Sequence, residues 1–122
     1  EKNLKAYVTG LNSFFAIHFT SEKPINALMV EKTKNKELAK KLFEFMINNG
    51  VAYLTPLTPH FFLSSAHTNE DKEKFLSLTE EFIKKIVWNT ELKNNYFIFN
   101  FAWLIAFLER ILNQRHMYDF MQ

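Results

Sequence analysis

Residues 50–68 read GVAYLTPLTPHFFLSSAHT. Two short apolar runs, Val51–Leu54 and Phe61–Leu63, flank Thr55-Pro56-Leu57-Thr58-Pro59-His60. Each proline fixes φ and biases the residue before it away from the α region, so the pair imposes a non-helical connection centred on Pro56. The flanking runs are short, rich in β-branched and aromatic residues and bounded by breakers, which reads as strand, turn, strand. Thr68 then precedes Asn69-Glu70-Asp71, a hydroxyl cap followed by carboxylates at the positive end of a helix dipole. Gly50, after Asn48-Asn49, holds the left-handed stop position of a preceding helix.

Working outward, a helix is expected from about Asn35 to Gly50, with Leu38, Leu42, Phe45 and Met46 as its buried stripe. A second helix is expected from about Asn69 to near Val87, with Phe75, Leu78, Phe82, Ile83 and Ile86 along one face. Upstream, Ser13–Thr20 is the clearest strand: Phe15, Ile17 and Phe19 fall on one face, Phe14, Ala16 and His18 on the other. Both faces are largely apolar, so the strand is expected to be central or covered on both sides. Ala6–Val8 reads as a short strand and Gly10–Asn12 as a turn, with Gly10 free to take φ > 0. Pro24 marks another turn, and Leu28–Val30 stays ambiguous between helix and strand. The expected class is α+β, a small antiparallel sheet with helices packed on one side.

The ordered set of segments carries a family resemblance. Asn48-Asn49-Gly50-Val51-Ala52-Tyr53-Leu54-Thr55-Pro56, then Ser64-Ser65-Ala66-His67-Thr68-Asn69-Glu70-Asp71 before an amphipathic helix, resembles the C-terminal small domain of class III, pyridoxal-phosphate-dependent aminotransferases. Among these it is nearest to the glutamate-1-semialdehyde 2,1-aminomutases. Thr9–Thr20 is similar to a Gly-Ser-Met-Phe strand of that family, with Leu11-Asn12 intervening between Gly10 and Ser13. The resemblance covers about residues 6–87, in order. It implies the small domain of a fold-type I enzyme and a parent reaction within porphyrin biosynthesis. It also implies pyridoxal phosphate as the parent's cofactor, and a cytoplasmic dimer. By position it makes Ser13, Phe14 and His60 candidates for the substrate pocket; the plain alternative is that Ser13 starts a strand and Phe14 is core. The family has a Glu in the loop matching Leu57–His60, and here that loop is shorter and has no acid.

Composition sets the bounds. At 122 residues, one domain with a modest core is expected. The chain opens on Glu1 rather than Met, which reads as a processed product or a piece of something longer. The net charge of +2 comes from interspersed Lys and Glu, which argues against a nucleic-acid footprint. There is no cysteine, so disulfides, thiolate catalysis and Cys-based zinc sites are excluded. The histidines His18, His60, His67 and His116 lack metal-ligand spacing, so no metal site is expected. His67 is expected to hydrogen-bond nearby backbone at the helix entry, and His18 to be a satisfied core residue. Nothing supplies a catalytic group: the lysines lie among other charges, and no Gly-rich phosphate loop occurs. The chain alone is therefore expected to bind no cofactor, and to need a pyridoxal-phosphate-binding large domain or a second subunit, as a homo-oligomer.

The composition shifts near Trp88. Both tryptophans and both arginines lie from there onward, and Tyr96–Leu108 is almost continuously apolar. That run is shorter than the roughly 20 residues a bilayer-crossing helix needs. Residues 1–87 are thus expected to form the aminotransferase-like unit, and residues 88–122 an extra C-terminal helical segment. The segment either docks on a partner chain, anchors at a membrane surface, or packs on the sheet face left open by a missing large domain. A membrane role is the least fitting, since a surface anchor wants a basic polar face.

Overall fold

The computed structural model describes residues 5–11 and 13–89, with residues 106, 109 and 110 besides. Elements follow in the order β1 (Lys5–Leu11), β2 (Phe14–Thr20), α1 (Ala27–Thr33), α2 (Lys36–Asn48), β3 (His60–Phe62) and α3 (Asn69–Asn89). The three strands form one antiparallel sheet in the order β1-β2-β3. β2 is the central strand, and Phe15, Ile17 and Phe19 all point into the core, each no more than 4 % exposed. Helices pack on that face, with Leu38, Ala39, Leu42 and Met46 from α2 and Phe75, Phe82 and Ile83 from α3. The arrangement is α+β, as expected.

Aromatic side chains join the layers. The Phe15 ring stacks on Phe61 of β3, centroids 5.0 Å apart, and meets Phe75 of α3 edge-on at 5.6 Å. Phe61 and Phe75 close the triangle at 4.9 Å. Further along, Phe82 packs on Phe19 of β2 and Phe45 of α2. Edge-on and offset pairs of this kind add about 0.5–1.5 kcal/mol each beyond area burial.

The helix ends follow from local side chains. Asn35 Oδ1 accepts from the Leu38 N–H at 3.0 Å, while its own backbone N–H donates to the Phe19 carbonyl at 2.6 Å. One residue thus starts α2 and fixes it to the end of β2. Asn26 caps α1 through the Met29 N–H in the same way, which settles the ambiguous Leu28–Val30 as helix. At the far end of α2 the Gly50 N–H donates to the Ile47 carbonyl and the Val51 N–H to the Met46 carbonyl. With Gly50 at φ 77°, this is the Schellman stop. Thr68 and Asp71 form a reciprocal cap on α3: the Thr68 N–H donates to Asp71 Oδ2 at 2.7 Å and the Asp71 N–H to Thr68 Oγ1 at 3.3 Å.

Three expectations need correction. Val51–Leu54 is not a strand. Its alternation survives, with Val51 and Tyr53 packed on the core and Ala52 and Leu54 exposed. The Schellman turn ties up the Val51 N–H, however, and the run pairs with no described strand. Gly10 is not in a turn but in β1, opposite Phe15. A Cβ there would lie 2.5 Å from the Phe14 carbonyl oxygen and 2.6 Å from Phe15 Cβ, so the glycine serves close strand approach rather than positive φ. The strand after Pro59 starts one residue early, at His60, because the Pro59 carbonyl already accepts from the Ile17 N–H at 3.0 Å. α3 runs to Asn89. The expected C-terminal helix lies outside the described residues except at Ala106, Glu109 and Arg110, which are helical and exposed.

The triangle of rings makes a direct prediction. Replacing Phe61 by Ala should cost about 3–5 kcal/mol, while Leu28→Ala on exposed α1 should stay within about 0.5 kcal/mol. Urea denaturation of the two variants measures this, and equal midpoints would contradict the core assignment.

Candidate functional site

The strand register divides the sheet into two unlike faces. Opposite the helices stand Tyr7, Thr9 and Leu11 from β1, Phe14, Ala16 and His18 from β2, and His60 and Phe62 from β3. Leu11, Phe14 and Phe62 form one row across the sheet, because Leu11 pairs with Phe14 and Phe14 with Phe62. They remain 74, 40 and 60 % exposed. An exposed row of large apolar side chains beside polar groups is the usual mark of a contact or binding surface.

Two of the three pocket candidates, Phe14 and His60, meet beside this row. The Phe14 ring stacks on His60 with centroids 5.5 Å apart and an 18° tilt, and packs on Phe62 at 4.9 Å. Ser13 is exposed at the hairpin end, and its carbonyl accepts from the Leu63 N–H at 2.7 Å. Phe14 is thus neither plain core nor isolated: it is the half-exposed centre of an aromatic patch with the His60 imidazole on one side. Beneath it His18 is buried, its Nε2 2.7 Å from Thr9 Oγ1. Burial, and then the nearby His60 ring, hold the His18 imidazole below its ordinary ionisation range. The face is therefore a largely apolar platform with two imidazoles, one half-buried and one buried.

A cleft of about 740 Å³ lies between residues 50–54, β3 and the first turn of α3. Tyr53 stands at its wall, its ring edge-on to Phe43 at 5.1 Å and tilted on Phe61 at 4.6 Å. Its hydroxyl is buried without a hydrogen-bond partner among the described residues, and burial pushes its ionisation above the ordinary phenol range. The phenol stays neutral at any physiological pH. The remaining structural candidates border this cleft or its approach. Gly50 turns the chain beside Lys74, and Pro56 sits in an exposed turn where Thr55 Oγ1 donates to the Thr58 carbonyl. The His67 Nδ1 accepts from the Ser64 N–H at 3.0 Å. That bond occupies one ring nitrogen with local backbone, while the nearby Asp71 carboxylate accepts from Thr68. Asp71 is held below the usual carboxylate range by its bonds to Thr68. Sequence reasoning did not find the cleft, because nothing in the pattern Val51-Ala52-Tyr53-Leu54 shows that the run leaves the sheet.

No group of three or more His, Asp or Glu able to hold a metal occurs among the described residues. No described helix is long and apolar enough to cross a membrane.

No family model matches the chain. Individual relatives do. A glutamate-1-semialdehyde 2,1-aminomutase from Caldicellulosiruptor saccharolyticus is 37 % identical over 82 residues, 67 % of this chain and 19 % of the relative. Those from Francisella philomiragia and Thermosipho africanus are each 36 % identical, over 61 % and 56 % of this chain. The chain is similar to a stretch of the glutamate-1-semialdehyde 2,1-aminomutases. It spans less than a fifth of the length of these curated relatives, 19, 17 and 16 %. Similarity over two thirds of the chain, joined to a three-stranded antiparallel sheet with helices on one side, agrees with the small domain of that class III aminotransferase.

The buried His18 sets a pH dependence. Its folded value lies below the ordinary 6.5, so between the two values the unfolded chain binds more protons. Stability should therefore fall as pH drops below about 6.5 and level off once the folded imidazole also protonates. Urea midpoints at about pH 7.5 and about pH 5.5 should differ more for the native chain than for His18→Gln. An equal difference in both would show that His18 is not the titrating group.

Proposed function

We propose that this chain is the small domain of a glutamate-1-semialdehyde 2,1-aminomutase-like enzyme. In this reading it lends one wall of the substrate pocket and part of the subunit contacts, and it carries no catalytic group. The observation that carries the proposal is the stacking of Phe14 on His60, in a chain similar to the aminomutases over 82 residues. The parent reaction would move the amino group within glutamate-1-semialdehyde to give 5-aminolevulinate, towards porphyrins. The assembled protein would be a cytoplasmic homo-oligomer, a dimer in the first instance.

The cofactor of such an enzyme is pyridoxal phosphate, which needs a Schiff-base lysine, an acid at the pyridine nitrogen and a phosphate cradle. The described residues do not fit that set. Lys41, Lys84 and Lys85 lie on exposed helix faces, paired with Glu37, Glu80 and Glu81 at 2.7–2.8 Å. Of the two glycines, Gly10 lies inside a paired strand and Gly50 ends a helix, so neither opens a phosphate-binding loop. No chemical step is assigned to this chain, whose work would be to shape and close a site built elsewhere.

The apolar patch and the segment beyond residue 89 favour one second reading: a stand-alone interaction module derived from the same fold, with residues 88–122 as its partner-binding element.

Two measurements separate these readings. Mixed with pyridoxal phosphate and reduced with borohydride, the chain alone should show no adduct confined to one lysine; a single labelled lysine would contradict the absence of a catalytic group. Supplied to a relative aminomutase from which the matching stretch has been removed, it should restore 5-aminolevulinate formation. Phe14→Ala or His60→Ala should then lower kcat/KM by about tenfold, and Ile25→Ala should not. No restoration with a folded partner would favour the interaction module.

A further inference from the structure

We propose that the cleft beside β3 is a docking slot for an extended peptide strand of a partner polypeptide, apolar at alternate positions and carrying a carboxylate at the Gly50 end. The ladder register sets which backbone groups can receive it. The Leu63 N–H donates to the Ser13 carbonyl and the Ile17 N–H to the Pro59 carbonyl, with Phe15 opposite Phe61 between them. Residues 59, 61 and 63 thus turn their backbone groups towards β2. Backbone groups alternate in side along a strand, so the N–H and C=O of His60 and Phe62 point the other way, off the edge of the sheet. β3 is the last strand of the described sheet, and no described residue bonds these groups.

Across the cleft stands a second unpaired backbone. Residues 51–54 keep the alternation of an extended chain, and the Val51 N–H is bonded to the Met46 carbonyl. The Ala52, Tyr53 and Leu54 N–H groups have no partner among the described residues. The two runs touch through their side chains, with the Tyr53 ring 4.6 Å from that of Phe61, yet they share no ladder bond. Both line the cleft, whose volume of about 740 Å³ falls within the roughly 300–1,000 Å³ usual for ligand sites. β3 is three residues long, about 10 Å, so about four extended residues span it.

The lining sets the chemistry. Phe15, Phe61 and Phe75 are buried and form the floor, and Leu54 and Phe62 stand at the mouth, 82 and 60 % exposed. A strand in the slot sends alternate side chains to floor and mouth, and both favour apolar groups. At the Gly50 end, a Cβ on Gly50 would lie 3.1 Å from the Lys74 Nζ. Lys72 and Lys74 line the cleft against a single described carboxylate, Asp71, which Thr68 already engages. An acidic peptide end complements that balance and a basic one does not. In strand addition of this kind, main-chain bonds supply affinity and side-chain pockets supply selectivity. A second copy fits less well, since β3 against β3 would align only three residues a side and leave residues 52–54 unpaired. The slot uses the His60 backbone and not its ring, so it does not depend on the aminotransferase reading.

The test uses blocked six-residue peptides in which valine alternates with threonine and one end residue is glutamate, added to the full chain at up to millimolar concentration. A matched peptide is N-methylated throughout, which removes its N–H donors and keeps its side chains. Amide hydrogen exchange is read residue by residue by NMR. The expected result is that the His60 and Phe62 amides exchange about tenfold or more slowly with the first peptide and unchanged with the methylated one. Lys74→Gln, at an exposed position, should weaken the glutamate peptide about twofold to fivefold and leave its glutamine counterpart unaffected. Equal protection by both peptides would make the cleft a plain apolar groove and overturn the proposal. No protection of His60 and Phe62 at millimolar peptide would overturn it as well. So would protection that grows with protein concentration alone, which would make a second copy the occupant.

Discussion

The Phe15 ring, clamped between Phe61 of β3 and Phe75 of α3, is the contact on which the rest of this structure depends. It joins two strands of the sheet and α3 at one point. Without it β3 is a three-residue strand with little to hold it, since so short a ladder is marginal alone. The clamp also fixes which face of β2 is core. Because side chains alternate along a strand, placing Phe15, Ile17 and Phe19 inward places Phe14 outward. The exposed patch is a consequence of the core, set by register and not by any separate device.

Residues that act locally were legible in the sequence. Thr68 followed by Asp71, Gly50 after two asparagines, and the heptad-like stripe Leu38–Leu42–Met46 each have one dominant physical meaning, and the structure carries all of them. Phe15, Ile17 and Phe19 were legible as core because three aromatic or branched residues alternate on one strand face. Residues that depend on a distant partner were not. Val51–Leu54 has the composition of a strand, but a strand exists only where another offers a free ladder, and the turn after α2 spends the Val51 N–H elsewhere. Gly10 invites a turn reading until β2 is in place and shows that a Cβ would collide with Phe14 and Phe15.

The candidate site divides in the same way. Ser13, Phe14 and His60 came from a resemblance, and only the pairing of β2 with β3 makes Phe14 and His60 neighbours. Phe62, the other half of the patch, gave no separate signal, since in sequence it is one phenylalanine of a pair. Tyr53 looked like strand filling and instead lines a cleft with an unsatisfied hydroxyl. Similarity to the aminomutases over 82 residues accords with a small α+β domain of this kind.

Amide hydrogen exchange on the full chain, read by mass spectrometry, tests the central claim that β2 and the aromatic clamp organise the fold. The account predicts slowest exchange in residues 14–20 and around Phe75–Ile83, opening only with global unfolding, while residues 52–58 exchange early. Exchange in 14–20 as fast as in 52–58 would contradict it, because a central strand held by Phe61 and Phe75 cannot open alone.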